Sequence, residues 1–428
     1  MEPHPCQDPI FLPKHNTKSP QRFYQYSLEA LLLRKWHEFG NASGTLISTA
    51  DELAEHPADI VVVPSTLAGA WIGPDNHKIG VNLKHFQNVS AEKEAIVYWD
   101  RLRTRFCRRL DGASEPSCPV IVTHLPFVVN IDGEKCDIVG ANLLMSLVQQ
   151  PHYFQGRVVI AGIESNLPLK MSDLQSKIRT FISIIRDAST KIIPTKPLFL
   201  TVPYPTFELP DPAATDSLYR DKLLSSYWGA TCASRGGRVK EKNSGGVRSA
   251  LEKFLYNHPN HSCRGRDQNA CELGKHAICV KGNECALTSG TEAMSQLAAT
   301  SRFCLEPGGD TPTRSHFYVS AIFGCIPILL DGGSAEYGQQ VTQWPWRMGE
   351  DQGIGLKYED FSIILKADDV ARDPSLVLQA IEKSDYGALQ TGLAKAVQSL
   401  SYSNDVHTHD AFTNLETVVC AETGRNIF

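Results

Sequence analysis

Several residues suited to anion binding precede a predicted helix in the second half of this 428-residue chain. Gly309 keeps the loop backbone accessible, and Thr311 and Thr313 place hydroxyl groups beside Arg314. The free N–H groups and the dipole of a helix start favour negative charge, and arginine adds charge-assisted hydrogen bonds. A diphosphate is the ligand that this combination would hold. The alternative is an ordinary capped core helix whose arginine faces solvent.

The local sequence predicts the elements that would position these residues. Apolar residues at helical spacing indicate a helix over 312–323, with Thr311 as N-cap and Pro312 at the first helical position. Gly324 suits the left-handed position that ends a helix. An apolar run then predicts a buried strand over 326–330.

Arg248 is a second candidate for phosphate binding, because it follows two glycines in the first turn of a helix predicted over 246–256. The basic stretch before it, from Arg235 to Lys242, is more typical of a solvated loop.

Short apolar runs alternate with amphipathic helices along the chain, which favours an α/β fold with parallel sheets. Buried strands are predicted at 60–64, 120–123, 158–161, 198–202, 277–280, 326–330 and 361–365. Helices are predicted at 23–38, 91–108, 171–188, 246–256, 291–301, 312–323 and 374–383.

A proline-rich segment over 203–215 is typical of a linker and divides the chain into two halves of similar size. The expected organisation is an N-terminal domain over 20–205, a C-terminal domain over 216–400 and a tail over 401–428 that packs back on the N-terminal domain. Ligands of such domains bind at the carboxyl ends of the strands.

Composition excludes several classes of protein. A net charge of -5 gives no global basic field that would attract nucleic acid. No apolar run reaches the ~20 residues that cross a bilayer, and the polar N-terminus lacks a signal-peptide core, so no membrane segment or signal is expected in this chain.

The 12 cysteines leave three interpretations open. Cys263, Cys271, Cys279 and Cys285 are clustered without the close pairs of typical zinc sites. Disulfides formed in a secretory lumen and reduced structural thiols are the other two.

Three motifs in the second half resemble those of the exostosin-like glycosyltransferases. They are Ser-Arg-Phe-Cys-Leu-Glu-Pro-Gly-Gly at 301–309, Asp-Thr-Pro-Thr-Arg at 310–314 and Gly-Cys-Ile-Pro-Ile at 324–328. Weaker similarities, including Thr-Val-Pro-Tyr-Pro at 201–205, extend the resemblance over roughly residues 20–400.

The resemblance implies a GT-B fold, in which two Rossmann-like domains with mainly parallel sheets face each other across a cleft. It also implies an inverting glycosyltransferase that moves a sugar from a nucleotide-sugar, usually a UDP-sugar, to a glycan or polysaccharide acceptor in the Golgi lumen. No permanently bound cofactor is expected. No metal is expected either, because the chain has no Asp-x-Asp motif.

Site residues follow from the same resemblance. It implies that Thr311, Thr313 and Arg314 contact the donor diphosphate, that Gly309 permits its close approach, and that Arg248 also faces phosphate.

One departure from the family pattern affects the ribose side of the donor. The family usually carries an acid where this chain has Val319, and Ser320 is the nearest polar substitute. This departure keeps open an alternative function, a catalytically inactive sugar- or nucleotide-binding relative.

Inversion requires a general base, which is expected from the N-terminal half. His124 follows a predicted strand and matches a histidine that the family often has near this point, although a structural strand-end histidine is an alternative. Asp100, Asp132 and Glu164 are further candidates. His407 and His409 beside Asp410 could suggest a metal, but a solvated loop is the favoured interpretation of this tail segment.

Overall fold

Two β-sheets organise the part of the chain that the computed structural model describes. The described residues are 28–42, 60–63, 120–125, 158–163, 198–206, 220–228, 246–260, 276–280, 291–308, 314–331, 344–346, 354–403, 405 and 408–423.

The first sheet is built from short runs rich in valine and isoleucine, a composition that fits strands covered on both faces. Its strands are β1 (Ile60–Val63), β2 (Val120–Leu125), β3 (Val158–Gly162) and β4 (Leu198–Thr201). They follow one another in the order β1-β2-β3-β4, and every neighbouring pair is parallel. All their carboxyl ends therefore lie at one edge.

The second sheet has the order β6-β5-β7-β8-β9. Its strands are β5 (Lys222–Trp228), β6 (His276–Val280), β7 (Ser301–Glu306), β8 (Ile326–Asp331) and β9 (Ile363–Lys366). Only the β5–β6 pair is antiparallel among these pairings. The two sheets, each mainly or wholly parallel, confirm the predicted α/β class with two sheet-bearing parts.

All seven predicted strands are present, with ends shifted by up to two residues. The sequence prediction missed β5 and β7, which lie at the middle of the second sheet. Polar residues interrupt the apolar sequence of both strands. In the structure most of these polar residues lie inside the fold. Ser226 of β5 donates to the carbonyl of Leu305 at 2.8 Å, and Glu306 of β7 is buried. A search for runs of apolar residues overlooks a strand whose polar groups form hydrogen bonds inside the fold.

Eight α-helices accompany the sheets within the described residues. They are α1 (Leu28–Ala42), α2 (Val247–Tyr256), α3 (Thr291–Thr300), α4 (Ser315–Ile322), α5 (Ala367–Arg372), α6 (Leu376–Lys383), α7 (Tyr386–Ala396) and α8 (Ala411–Thr423). None of the helices in these residues is both long and apolar enough to cross a membrane. The helices predicted over 91–108 and 171–188 lie outside the described residues.

Helix α4 begins later than its sequence predicts. The first helical residue is Ser315 and the N-cap is Arg314, with an extended backbone, so the prediction of Thr311 as N-cap is wrong. The N-cap has no side-chain hydrogen bond to the helix. Its guanidinium is instead directed toward the preceding segment, as described below.

The C-terminal helix α8 packs against β2 of the first sheet. A buried ion pair joins the start of this helix to α1, where Lys35 Nζ lies 2.6 Å from Asp410 Oδ2. The Tyr402 hydroxyl donates to the carbonyl of Pro203 at 3.0 Å, just beyond β4. The interpretation of this tail segment as a solvated loop is therefore wrong for Asp410, whose carboxylate is fully buried, whereas His409 is exposed.

Candidate functional site

The end of β7 and the start of α4 bring the polar residues of the 301–331 region together. Glu306 is the last residue of β7, at the carboxyl edge of the second sheet, and pairs in register with Leu329 of β8. Parallel α/β sheets bind ligands at this edge, where helix N-termini point. Seven of the eight residues of α4 are buried, so the helix start is fixed by packing.

Arg314 folds back toward β7 from its N-cap position. Its Nη1 donates to the carbonyl of Pro307 at 3.2 Å and lies 3.7 Å from Glu306 Oε2. The arginine side chain is 14% exposed, whereas the glutamate side chain is 2% exposed. The guanidinium is thus the more exposed member of this pair, at the N-terminal end of α4.

Two residues one turn apart on α4 lie close to one oxygen of the Glu306 carboxylate. The Ser320 hydroxyl donates to Oε1 at 2.7 Å, and His316 Nδ1 lies 2.7 Å from the same oxygen. Residues four apart share a helix face, which explains why both reach Oε1. The Ser320 hydroxyl also lies 2.9 Å from the carbonyl of His316. We refer to Glu306, Arg314, His316 and Ser320 as the acid cluster.

Val319 packs away from the acid cluster, in an apolar group with Ala298, Ile322 and a disulfide. The disulfide joins Cys304 of β7 to Cys325, directly before β8. A carboxylate at position 319 would therefore enter apolar surroundings in this chain. The acid of this region is Glu306, which belongs to the strand rather than to the helix.

The disulfide shows that two of the 12 cysteines, Cys304 and Cys325, are paired. Among the described residues, no group of His, Cys, Asp or Glu could hold a metal ion. Cys279 lies in β6, and Cys263, Cys271 and Cys285 are outside the described residues, so the state of the predicted cluster stays open.

A half-buried arginine contacts the C-terminal end of α4. Gly324 has a φ of 72°, which confirms its predicted left-handed position. Arg220 donates to the carbonyls of Ala298, Ser301 and Phe323, and burial lowers its pKa from the ordinary value. A Cβ at position 324 would lie 2.6 Å from the Arg220 guanidinium, so glycine is required there for space as well as for φ.

A tyrosine pair connects the first sheet to α4. Tyr204 follows β4 in the Thr-Val-Pro-Tyr-Pro motif, and its ring lies 5.5 Å from that of Tyr318. Both rings are buried. The contact links the carboxyl end of one sheet to the helix that carries the acid cluster.

The other predicted site residues lie in several places. Arg248 is in the first turn of α2, as expected, and only 1% of its surface is exposed. A buried guanidinium requires polar partners, so this residue is internal rather than solvated. His124 lies next to last in β2, paired in register with Ala161. Gly309, Thr311 and Thr313 are outside the described residues.

Sequence reasoning missed Glu306 and His316 as members of the site. The four-residue spacing of His316 and Ser320 is a local signal for a shared helix face. No local signal places Glu306 against that face, because the contact joins two elements across a loop.

Comparisons with known proteins single out the same half of the chain. Residues 186–381 match the Exostosin GT47 domain. Over 171 residues the chain is 28% identical to the xyloglucan-specific galacturonosyltransferase 1 of Arabidopsis thaliana, covering 40% of this chain and 22% of that protein. Over 174 residues it is 26% identical to xyloglucan galactosyltransferase MUR3 of the same plant, covering 40% and 23%. The chain thus spans less than a quarter of the length of these two relatives.

Among solved structures, the spinosyn forosaminyltransferase SpnP aligns with 93% of this chain and 97% of its own, at 11% identity and a TM-score of 0.35.

Proposed function

We propose that the protein is an inverting glycosyltransferase, on the premise that residues 186–381 match the Exostosin GT47 domain. It transfers a sugar from a nucleotide-sugar, with UDP as the nucleotide, to a polysaccharide or glycan acceptor. The donor binds in the second half of the chain, at the carboxyl edge of the second sheet.

The observation that carries this proposal is the position of Arg314. The residue is the N-cap of α4, and its partly exposed guanidinium lies 3.7 Å from a buried carboxylate. The helix start and the arginine together favour an anion. A donor diphosphate would receive hydrogen bonds from both.

The same groups would assist the chemistry. Sugar transfer passes through an oxocarbenium-like state while negative charge grows on the departing nucleoside diphosphate. A fixed guanidinium and a helix dipole stabilise that charge without reorganising. Arg248 is the second cation that we propose for the diphosphate, together with the hydroxyls of Thr311 and Thr313 and the backbone at Gly309.

In this proposal the acceptor binds to the first half of the chain. Inversion requires a base that removes the proton of the acceptor hydroxyl as the anomeric carbon is attacked. We assign this role to His124, because the residue lies at the carboxyl end of β2, the edge at which such sheets bind ligands.

The names of the relatives suggest the class of substrate. One is named for galacturonosyl transfer and one for galactosyl transfer, both to xyloglucan. We extend this to a UDP-hexose or UDP-hexuronate donor and a plant-type cell-wall polysaccharide acceptor. The Cys304–Cys325 disulfide favours an oxidising compartment, which supports action in the Golgi lumen.

Calorimetric titration of UDP tests the proposal, with GDP as the comparison nucleotide. We expect wild type to bind UDP and Arg314→Ala to bind it at least about tenfold more weakly, since a hydrogen bond to a charged group contributes about 1.5–3 kcal/mol. Arg302→Ala is the matched control, because Arg302 lies on the same strand as Glu306 but is exposed and stacks on Tyr386.

Three outcomes separate the alternatives. Absence of UDP binding to wild type would overturn the proposed UDP-sugar donor. Equal loss in the Arg302 and Arg314 variants would remove the assignment of the diphosphate to α4. Binding of UDP without turnover of UDP-galactose or UDP-galacturonate on xyloglucan would favour the non-catalytic alternative.

A further inference from the structure

A buried tyrosine pair joins the first half of the chain to the helix that begins at Arg314. Tyr204 follows β4 of the first sheet, and Tyr318 is the fourth residue of α4. The centroids of the two rings lie 5.5 Å apart, with the ring planes tilted by 41°, and the residues are 5% and 0% exposed. Aromatic rings at this separation attract each other by more than their burial alone contributes.

The backbone that carries Tyr204 is fixed on the side of the first sheet. Prolines precede and follow this residue, and proline fixes its own φ and restricts the residue before it to extended backbone. The Val202 amide donates to the carbonyl of Gly162 at 2.9 Å, and the Tyr402 hydroxyl donates to the carbonyl of Pro203 at 3.0 Å. The first sheet therefore presents the Tyr204 ring to α4 on a segment with little freedom to move.

Tyr318 lies one helical turn after Arg314, and residues four apart share a face of a helix. The N-cap has no side-chain hydrogen bond to the helix, so the place of Arg314 depends on how the first turn of α4 packs. The Phe317 amide donates to the carbonyl of Arg314 at 3.1 Å. The Phe317 ring lies 4.8 Å from that of Tyr318 and 6.0 Å from that of Tyr358. Rings from both halves of the chain thus pack against this turn.

We propose that Tyr204 is a positioning residue for the donor site, whose ring fixes the first turn of α4 and thereby the place of the Arg314 guanidinium. This inference rests on the proposed function. It makes nucleotide binding in the second half of the chain depend on a residue of the half that we assign to the acceptor. An acceptor that displaces the end of β4 would change donor affinity, and the donor would change acceptor affinity by the same factor.

Two substitutions at position 204 separate the ring from the rest of the side chain. Tyr204→Leu removes the ring and stays apolar, whereas Tyr204→Phe keeps the ring. In calorimetric titrations we expect Tyr204→Leu to bind UDP about three- to tenfold more weakly than wild type, and Tyr204→Phe to stay within about twofold of it. Tyr386→Leu is the matched control, because its ring lies 5.6 Å from that of Phe303 on β7.

A purely structural role is the competing explanation, in which the tyrosine pair only stabilises the fold. The double variant Tyr204→Leu/Arg314→Ala distinguishes the two roles. A positioning residue acts through Arg314, so Tyr204→Leu should cost less than about twofold in UDP affinity once Arg314→Ala is present. A structural role predicts the same loss whether position 314 is arginine or alanine.

Several results would overturn the inference. Unchanged UDP affinity in a folded Tyr204→Leu protein would leave Tyr204 as a structural residue, and so would an equal loss with and without Arg314. Equal weakening by Tyr204→Phe and Tyr204→Leu would show that the ring is not the cause. An equal loss in Tyr386→Leu would show that any buried ring has this effect.

A second measurement decides if Tyr204→Leu does not fold. Wild type is labelled with 3-fluorotyrosine, and the spectrum of labelled Tyr204→Phe identifies the Tyr204 resonance by its absence. Because coupling between two positions is reciprocal, UDP should shift that resonance, and an unshifted resonance would overturn the inference. If wild type binds UDP and Arg314→Ala loses it while the tests at Tyr204 fail, the proposed function stands and only the inference falls. If wild type binds no UDP, both fall together.

Discussion

Two buried carboxylates in this protein have opposite hydrogen-bonding states. Asp410, at the start of α8, is saturated. Its Oδ2 accepts from Lys35 Nζ at 2.6 Å and from the Ser403 amide at 2.8 Å. Its Oδ1 accepts from the amides of Phe412 at 2.8 Å and Thr413 at 3.1 Å. Glu306, the last residue of β7, has one oxygen that accepts from Ser320 and one without a hydrogen bond among the described residues.

The difference separates a carboxylate whose two oxygens are both held by hydrogen bonds from one whose second oxygen has only a long ion-pair contact to Arg314. Asp410 caps its helix and neutralises a buried lysine, and no acceptor remains for another molecule. Glu306 stands beside a partly exposed arginine at the edge where parallel sheets bind ligands. Stability measurements should therefore respond strongly to the first carboxylate and weakly to the second.

The largest expected effect follows from breaking the Lys35–Asp410 pair. Lys35→Met should lower the free energy of unfolding by about 3–5 kcal/mol, because it leaves a buried carboxylate without its cation. Denaturant unfolding measures the loss, and Lys383→Met on the exposed part of α6 is the control. Adding Asp410→Asn to Lys35→Met should recover part of the loss. A cost below about 1 kcal/mol would show that the amide donors alone satisfy Asp410.

A smaller effect is expected from Glu416, two turns further along α8. Burial, and then the charge of Asp410, raise the pKa of Glu416 from 4.5 to about 7. The folded state therefore holds this proton more tightly than the unfolded state, and stability falls as pH rises from 4.5 to about 7. Glu416→Gln removes this loss, and should be more stable than wild type at pH 8 by on the order of 2 kcal/mol.

The two proteins should unfold alike at pH 4.5, where Glu416 is mostly protonated in the folded state. Denaturant curves at pH 4.5, 6, 7 and 8 would reveal the change of slope, with the exposed Glu382→Gln on α6 as control. A parallel pH dependence in wild type and Glu416→Gln would contradict the raised pKa.

The smallest expected effect on stability is that of Glu306→Gln. The amide oxygen can still accept from Ser320, and the long contact to the partly exposed Arg314 contributes little. We expect a loss below about 1 kcal/mol in denaturant unfolding. A loss as large as that of Lys35→Met would contradict the comparison, because both carboxylates would then stabilise the fold.

Much of the fold could be predicted from local sequence. The valine- and isoleucine-rich runs of the first sheet give a continuous apolar signal, which is typical of parallel strands. Gly324 was predicted as the helix end because glycine suits the left-handed position there, and its φ of 72° confirms this prediction. The predictions failed where polar residues are buried: β5 and β7 were missed, and α4 begins at Ser315 rather than at 312.

Part of the candidate site could also be predicted from the sequence, and part could not. The anion-binding residue types and the helix behind them were visible in the sequence, and Arg314 stands at the start of that helix. The acid cluster was not visible, because Glu306 reaches Ser320 across an intervening loop. The sites predicted at Gly309, Thr311 and Thr313 stay predictions, as do the roles of Arg248 and His124.

The sequence by itself determined seven of the nine described strands, most described helices, the helix-ending glycine and the motifs that resemble those of the exostosin-like glycosyltransferases, since all of these depend on neighbours within a few residues. Only the tertiary structure decided which polar groups meet: Lys35 and Asp410 lie 375 residues apart, and the Glu306 oxygens acquire their unequal surroundings from a helix that packs on a strand. Local propensity carries no information about such contacts, because the free energy that forms them comes from burial and from the pairing of polar groups that burial requires.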